Sequence, residues 1–370
     1  MKKLKEIRTN GLSLPLISFC LLVIFVSCTK FVTLNNAQES TGGKNLTMRS
    51  VDTTLQDYMP FPIGASISTN RLGTAIYKAT VIKEYNSLTG EGVMKMNALK
   101  PTSSTYNWTN ADSLVRFAEA NGKRVHGHTL VWGSVPSWVT NYVGDSTAWE
   151  NLLKDYIQTV VTHFKGHVGS WDVVNEAIAD NGTFRNNIWH QRLGPGYVAR
   201  SFQYAHEADS TALLFLNDYG QEYSTARRNA INNLAKSMRD NGIPIHGVGL
   251  QMHTNISVSQ AGYKRAIDSA AATGLLVHIS ELDIAVNVTA STSYTFNLTD
   301  EQTQADYYEY IVNTYKTDVP VAQQFGITTW NVADFDTWRR PTYGIPEYPL
   351  PFNDSYGRKL AYYAIIAAAN

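Results

Sequence analysis

Residues 170–177 read Ser-Trp-Asp-Val-Val-Asn-Glu-Ala, an apolar, β-branched run that ends in Asn175 and Glu176. A second stretch, Leu276–Ile284 (LVHISELDI), has the same form and carries Glu281 towards its carboxyl end. A desolvated carboxylate destabilises a fold unless it is hydrogen-bonded or used in chemistry. Two glutamates at the ends of two parallel strands are what glycoside hydrolysis requires. These stretches predict a scaffold that brings Glu176 and Glu281 together.

Short apolar runs alternate with longer amphipathic stretches through the rest of the chain. The predicted strands are Phe61–Ile67, Glu84–Leu88, Arg124–Trp132, Ser170–Glu176, Ala212–Tyr219, Ile245–His253, Leu275–Ile284 and Gln323–Val332. The predicted helices between them include Asp112–Ala120, Trp149–Phe164, Tyr197–Glu207, Thr225–Asp240, Ser259–Ala272 and Glu301–Thr317. Eight such alternations predict an α/β fold, a single (β/α)8 TIM barrel. An open doubly wound sheet is disfavoured because no Gly-rich phosphate loop follows the first strand.

The composition is that of a globular protein with a large core, since 44% of the 370 residues are apolar and 17% are charged. The formal net charge is zero, and no Lys/Arg block follows the extreme N-terminus. Phosphate binding needs clustered positive charge, so nucleic acid is not expected as a partner. The 8 Trp and 21 Tyr residues serve packing first, but they also suit a groove that stacks on sugar rings.

The N-terminus has the form of an export signal. Basic residues at positions 2, 3, 5 and 8 precede Leu12–Val26, an apolar stretch too short and interrupted for a membrane span. It ends at Val26-Ser27-Cys28, which resembles the lipobox of bacterial lipoproteins, where the Cys becomes the lipidated first residue. A plain cleaved signal peptide with an incidental Cys is the alternative. Because Cys20 would be removed, the folded domain has neither a disulfide nor a Cys-ligated zinc.

Three segments follow from these patterns: a signal peptide over 1–28, a flexible tether over 29–55 that is rich in Thr, Asn, Gln, Ser and Gly, and a catalytic domain over 56–370. The protein is expected to be exported as a membrane-anchored lipoprotein at the bacterial cell surface or in the periplasm. If Cys28 is not lipidated, it is expected to be secreted. The only membrane contact expected is the lipid anchor, and the protein is expected to be a monomer.

Polar and aromatic residues collect at the ends of the predicted strands, where a barrel of this type carries its functional groups. They are Glu91, Lys95, His128, Trp132, Asn175, Glu176, Tyr219, Gln251, His253, Glu281 and Trp330. Three strand-end histidines, His128, His253 and His278, could suggest a metal. They lack a local ligand motif and lie on different strands, so neither a metal nor another cofactor is expected.

With these residues in view, the chain resembles glycoside hydrolase family 10, the endo-β-1,4-xylanases, over about residues 58–368. Four motifs in order carry the resemblance: Gly127–Trp132 (GHTLVW), Trp171–Glu176 (WDVVNE), Gly249–His253 (GLQMH) and His278–Asp283 (HISELD). It implies a retaining double displacement, in which Glu281 is the nucleophile and Glu176 the acid and then the base.

The resemblance also implies roles for the neighbours of the two glutamates. Asp283 would orient His253, which would keep Glu281 ionised. Asn175 and Gln251 would hold the hydroxyl next to the reacting carbon. The other expected substrate-binding residues are Glu91, Lys95, His128, Trp132, Trp330 and Trp338 on the glycone side, together with Tyr219.

The chain departs from the family pattern at several positions beside the expected sugar site. Gly92 stands where the family has Asn, Met96 where it has Trp, Val135 where it has a substrate-binding Gln, and His126 where it has Arg. Gly92 and Val135 each remove a hydrogen bond worth on the order of 1 kcal/mol to the sugar one step out from the cleavage point. We therefore expect decorated or non-xylose units to be accepted there.

The functional hypothesis is a retaining, endo-acting glycoside hydrolase that cleaves internal β-1,4-xylosidic bonds of xylan through a covalent glycosyl-enzyme. One alternative is a retaining hydrolase of a related β-glycan, such as decorated or mixed-linkage xylan or β-glucan. The other is a weakly catalytic, surface glycan-binding lipoprotein. The expected partner in each case is a polysaccharide.

Overall fold

The computed structural model describes residues 53–369, so the predicted signal peptide, Cys28 and most of the predicted tether lie outside the described residues. The strands are β1 (Ile63–Ile67), β2 (Ser87–Gly90), β3 (Arg124–Val131), β4 (Ser170–Asn175), β5 (Leu213–Asp218), β6 (Gly247–Leu250), β7 (His253–Asn255), β8 (Leu276–Ala285) and β9 (Gln324–Thr329). The helices are α1 (Leu55–Tyr58), α2 (Ala75–Glu84), α3 (Met96–Leu99), α4 (Thr109–Ala120), α5 (Ser137–Thr140), α6 (Ser146–His163), α7 (Ile188–Leu193), α8 (Tyr197–Ala208), α9 (Thr225–Asp240), α10 (Gln260–Ala271), α11 (Leu298–Asp318), α12 (Arg339–Tyr343) and α13 (Leu360–Ala369).

Eight parallel strands close into a barrel. Strands β1 to β6 pair in chain order, β1 also pairs with β9, and β9 pairs with β8. The ring closes where β6 pairs with β8, from Gly247 opposite Leu276 to Leu250 opposite Ile279. The predicted single (β/α)8 TIM barrel is confirmed. All eight strands therefore point their carboxyl ends at one rim, where the predicted site residues lie.

The helices pack apolar faces against the barrel, as α6 illustrates. Its buried face is formed by Leu153, Tyr156, Ile157, Val160 and Val161. The helix begins three residues before the predicted start because the side chain of Asp145 accepts a hydrogen bond from a backbone N–H in the first turn. Within residues 53–369, none of the helices combines the length and apolar content that a membrane crossing needs.

The predicted sixth strand, Ile245–His253, is wrong as a single strand. Strand β6 ends at Leu250, and the chain leaves the ladder at Gln251 and Met252, where Met252 has a left-handed φ of 53°. An extended strand cannot continue through that conformation. The chain then pairs again as β7, with His253 opposite Asp283 on the outer part of β8. This break carries His253 to the rim beside Glu281.

The predicted second strand, Glu84–Leu88, is also wrong at its start, because α2 extends to Glu84 and β2 begins at Ser87. The Glu84 carboxylate is buried and accepts hydrogen bonds from the backbone of Leu55 (3.0 Å), from Arg358 (2.8 Å) and from Tyr362 (2.9 Å). It ties α1 to the C-terminal part of the fold. Sequence pattern alone did not indicate these distant partners. The remaining strand ends differ from prediction by at most three residues.

Candidate active site

Glu176 follows β4 directly, in a left-handed backbone conformation with φ of 55°. Its N–H donates to the carbonyl of Asn217 on β5 (2.9 Å), and its own carbonyl accepts from Nε of Arg185 (3.0 Å). A non-glycine residue in this region is strained and persists only where its surroundings hold it, which is common at active sites. The Glu176 side chain is one-fifth exposed, and its Oε2 lies 3.9 Å from Nη2 of Arg185.

Glu281 lies on β8 and is buried. Its Oε1 accepts a hydrogen bond from Nδ2 of Asn217 (2.8 Å), and its Oε2 lies 3.0 Å from Nε2 of His253. Burial raises the pKa of the Glu281 carboxyl, but His128, His253 and Lys95 outweigh that effect and hold the pKa below its ordinary value. The group is therefore ionised at neutral pH, as a nucleophile must be.

The predicted chain of contacts from Asp283 to Glu281 is present. Oδ2 of Asp283 lies 2.9 Å from Nδ1 of His253 and accepts from Nε1 of Trp338 (2.7 Å). Oδ1 accepts from Nη2 of Arg339 (2.6 Å). Burial lowers the pKa of His253, but Asp283 and Glu281 outweigh it and raise the pKa to about 9. A cationic ring held at both nitrogens fixes the orientation of the Glu281 carboxylate.

An amide network links the two glutamate-bearing strands. Oδ1 of Asn175 accepts from Nε2 of Gln251 (3.0 Å) and from Nδ2 of Asn217 (3.0 Å), the same group that donates to Glu281. Asn217 is held in turn by Ser280, whose hydroxyl donates to its Oδ1 (2.7 Å). With Oδ1 of Asn175 doubly engaged, its Nδ2 has no acceptor within residues 53–369 and is left to donate to a ligand.

A cavity of about 470 Å³ opens at the rim beside Trp330 and Trp338. Four predicted residues line it: Glu91, Lys95, Trp330 and Trp338. Two more lie against this group, since Nζ of Lys95 is 5.0 Å from the ring centre of Trp132 and the ring of His128 is 5.2 Å from that of Trp330. The structure thus brings together the residues that the sequence assigns to the glycone side.

Tyr219 lies apart from that cavity, on the side of Glu176. Its hydroxyl accepts from Nη2 of Arg185 (2.9 Å), and its ring lies 3.7 Å from the guanidinium carbon of Arg227. The buried carboxylate of Asp218 pairs with Arg227, and burial raises the pKa of Asp218 to about 7. Asp218 also accepts from the backbone of Ile178 (3.0 Å). Its contacts are those of a structural hydrogen-bonding group.

The three strand-end histidines each contact a different partner. His128 lies 2.8 Å from Asp172, His253 is bound to Asp283 as described, and His278 lies 2.9 Å from the hydroxyl of Thr328. Asp172 is buried between His128 and His126. In the described part of the chain, no cluster of three or more ligand-type side chains is arranged to hold a metal.

Sequence reasoning missed three residues that act on this site. Asn217 is the penultimate residue of β5, and nothing local indicates that it bridges to Glu281. Arg185 and Arg339 belong to loops, and their contacts with Glu176 and Asp283 depend on how those loops fold back over the rim. A polar strand end could have suggested Asn217; no local pattern indicates the two arginines.

Comparison with known proteins agrees with this geometry. A family model described as Glycosyl hydrolase family 10 matches residues 50–368. Endo-1,4-beta-xylanase B of Thermotoga neapolitana is 35% identical over 291 residues, which cover 78% of this chain and 82% of that protein. Exoglucanase XynX of Acetivibrio thermocellus is 35% identical over 324 residues, which cover 84% of this chain but 28% of that protein, so the chain spans little more than a quarter of its length.

Among solved structures, xylanase 10B from Thermotoga petrophila RKU-1 in complex with xylobiose matches with a TM-score of 0.80. The two sequences are 32% identical, and the match covers 87% of this chain and 98% of that one. The barrel, the family model and the relatives agree. This chain belongs to glycosyl hydrolase family 10, a family of retaining enzymes.

Proposed function

We propose that this protein is a retaining endo-1,4-β-xylanase. The observation that carries the proposal is that the amide of Asn217 connects the two glutamate-bearing strands at one rim. It donates a hydrogen bond to Glu281 and another to Asn175, the residue before Glu176. The two carboxyl groups differ as the reaction requires, since Glu281 is buried and held ionised while Glu176 is partly open to the mouth. One is suited to attack and the other to proton transfer.

In the first step, a carboxylate oxygen of Glu281 forms a bond to the anomeric carbon as the glycosidic C–O bond breaks. Glu176 gives its proton to the departing oxygen. In the second step, water attacks the same carbon and the ester to Glu281 breaks. Glu176 takes the proton from that water, and the enzyme returns to its starting state. Two inversions leave the product with the configuration of the substrate.

The surrounding residues bind and orient the sugar. Asn175, with Gln251 fixing its amide, donates to the hydroxyl next to the reacting carbon, a contact that strengthens in the transition state. Ring stacking and hydrogen bonding on the glycone side come from Glu91, Lys95, His128, Trp132, Trp330 and Trp338. Tyr219, on the side of Glu176, contacts the leaving-group side of the chain.

The relatives support xylan as the substrate class, because the Thermotoga neapolitana protein is named an endo-1,4-beta-xylanase and the Thermotoga petrophila structure holds xylobiose. A related β-glycan is the second candidate, favoured by the name of the Acetivibrio relative, an exoglucanase. A surface glycan-binding lipoprotein with weak activity is less well supported, since Glu176, Glu281 and the network around them are all present.

The N-terminal assignments belong to the same proposal. Residues 1–28 would direct export, Cys28 would carry the lipid, and 29–55 would tether the catalytic domain of 56–370 to the bacterial surface or the periplasmic side of a membrane. The protein acts as a monomer on its polysaccharide. Membrane fractionation of the wild type and of Cys28→Ala tests the anchor: the lipid assignment requires the variant to leave the membrane fraction.

The experiment that tests the activity is product analysis on linear xylan, arabinoxylan, glucuronoxylan and mixed-linkage β-glucan. We expect internal cleavage of xylan into short oligosaccharides. Glu281→Gln removes the nucleophile with little change in shape, so reducing-sugar release should vanish while xylan binding persists. Wild-type protein that binds xylan yet releases no sugar would contradict the enzyme proposal. Preferential cleavage of β-glucan would show that the substrate is a related β-glycan, the second candidate, and not xylan.

A further inference from the structure

Two parts of the chain that are distant in sequence line the cavity at the rim. The turn Thr69–Arg71 follows β1, and its residues Thr69 and Asn70 line one wall. The C-terminal segment, residues 330–359 between β9 and α13, contributes Trp330 and Trp338 to another wall. None of the three residues of the turn is buried, so packing in the core does not fix the distance between the turn and the C-terminal segment.

The side chain of Arg71 joins the turn to the C-terminal segment. Its Nη1 lies 2.6 Å from Oδ1 of Asp336, and its Nη2 donates to the hydroxyl of Tyr356 (3.0 Å). The Tyr356 hydroxyl donates in turn to Oδ1 of Asp336 (2.9 Å), so the three side chains form a closed set of contacts, which we call the clasp. The guanidinium carbon of Arg71 also lies 4.6 Å from the ring centre of Phe335. Charge-assisted hydrogen bonds and a cation–ring contact therefore bind the turn to the C-terminal segment.

The clasp is fixed on its C-terminal side and lies beside the cavity. Asp336 also accepts from the backbone N–H of Ala333 (3.1 Å). Tyr356 has a left-handed φ of 62°, a conformation that a non-glycine residue keeps only where its contacts hold it. Burial raises the pKa of Asp336, Tyr356 and Arg71 lower it, and the Glu91 carboxylate, which lines the cavity, raises it again. The groups of the clasp thus interact with the cavity wall.

Trp338 is held in place without the clasp. Its backbone N–H donates to Oδ1 of Asn331 (3.1 Å), and its ring N–H donates to Asp283 (2.7 Å). The backbone N–H of Asn331 donates to the hydroxyl of Ser66 on β1 (2.8 Å). If Arg71 were removed, the wall that Trp338 forms would therefore stay in place, and the turn would be the part that moves.

We propose that Arg71 is a positioning residue: by binding Asp336 and Tyr356, it fixes the width of the cavity between the turn and Trp338. It thereby determines how tightly the enzyme holds the sugar units beyond the one whose bond is cleaved. The inference rests on the proposed xylanase function. Arg71 is not among the residues that line the cavity, so it acts through the position of the turn. Its loss would widen the cavity and leave the sugar beside Glu281 in place.

Two activated substrates separate these positions. Dinitrophenyl β-xyloside places one sugar before the cleaved bond, and dinitrophenyl β-xylobioside places a second sugar in the cavity. Arg71→Met should lower kcat/KM on the xylobioside by at least about tenfold, chiefly by raising KM, and should change kcat/KM on the xyloside by less than about twofold. Equal losses on both substrates, or no loss on either, would overturn the inference. Wild-type protein that cleaves neither substrate nor xylan would instead refute the proposed function.

A matched control and a double variant complete the test. Arg200→Met is the control, because Arg200 lies 2.7 Å from Glu150, which also accepts from the hydroxyl of Tyr204 (2.6 Å), and none of the three lines the cavity. Its ratio of the two kcat/KM values should equal the wild-type ratio. Asp336→Asn should lower the ratio as Arg71→Met does, and the double variant should lose no more than the larger single loss, because both changes remove one contact. A double loss equal to the product of the single losses would overturn the role of the clasp.

Discussion

Nε2 of His253 lies 3.0 Å from Oε2 of Glu281, while Nδ1 of the same ring lies 2.9 Å from Asp283. Asp283 is itself fixed by Trp338 and Arg339, so the loop that carries these two residues supports Glu281 through three successive polar contacts. Because the ring donates at both nitrogens only when it is protonated, this arrangement couples the charge of His253 to the position of Glu281.

The first prediction concerns stability against pH. The pKa of His253 is raised to about 9 in the folded protein from an ordinary value near 6.5. Protonated His253 therefore stabilises the folded state. This contribution is complete below about pH 6.5 and is lost as the pH rises towards 9. We expect the stability advantage of wild type over His253→Gln to shrink by about 3 kcal/mol across that window. Urea unfolding of both proteins at a series of pH values measures this difference in unfolding free energy. A difference that does not change with pH would contradict the claim that His253 is protonated in the folded protein.

The second prediction concerns Arg185, which binds the carbonyl of Glu176 (3.0 Å) and lies 3.9 Å from its carboxylate. Arg185→Met should misplace the acid, lowering kcat/KM about 100-fold on aryl xylobiosides with poor leaving groups. With a dinitrophenyl leaving group, which needs no protonation, the loss should be about threefold at most. Arg192→Met, an exposed arginine of α7, is the control and should change neither value. Equal losses on both substrates would show that Arg185 does not act through the acid.

The third prediction concerns Gly249, whose lack of a side chain leaves room for the amide of Asn217. A methyl group at Gly249 would lie 2.1 Å from Oδ1 of Asn217, so Gly249→Ala must displace the amide that bridges Asn175 and Glu281. We expect a loss of about 1–3 kcal/mol in unfolding free energy and a fall in kcat of about 100-fold. Gly169→Ala, which meets no atom within 4 Å, is the matched control. Full activity in Gly249→Ala would contradict the bridging role of Asn217.

The sequence predicts the barrel and its functional rim because both depend on local patterns. Apolar runs that end in polar residues, such as Val173 to Glu176, mark a buried strand reaching a rim whatever the neighbouring strands are. Eight of them in alternation with amphipathic helices leave few other folds. Glu176, Glu281 and three of the residues that line the cavity, Glu91, Lys95 and Trp330, are found in this way.

What the sequence misses depends on contacts between distant residues. Glu84 lies in a run that resembles a strand, yet it ends a helix, and its carboxylate binds Arg358 and Tyr362 near the other end of the chain. The break at Met252 and the bridge formed by Asn217 likewise depend on how neighbouring strands meet. Local periodicity carries no information on such partners.

The measurement that tests the central claim most directly is trapping of the covalent intermediate. Wild-type enzyme incubated with a dinitrophenyl 2-deoxy-2-fluoro-β-xylobioside should gain the mass of one fluorinated disaccharide. The fluorine slows both steps, but the reactive dinitrophenyl leaving group keeps the first step fast, so the covalent intermediate accumulates. Peptide mapping should place that mass on Glu281, and Glu281→Gln should gain none. An adduct on another carboxylate, or a first product of inverted anomeric configuration, would contradict the account.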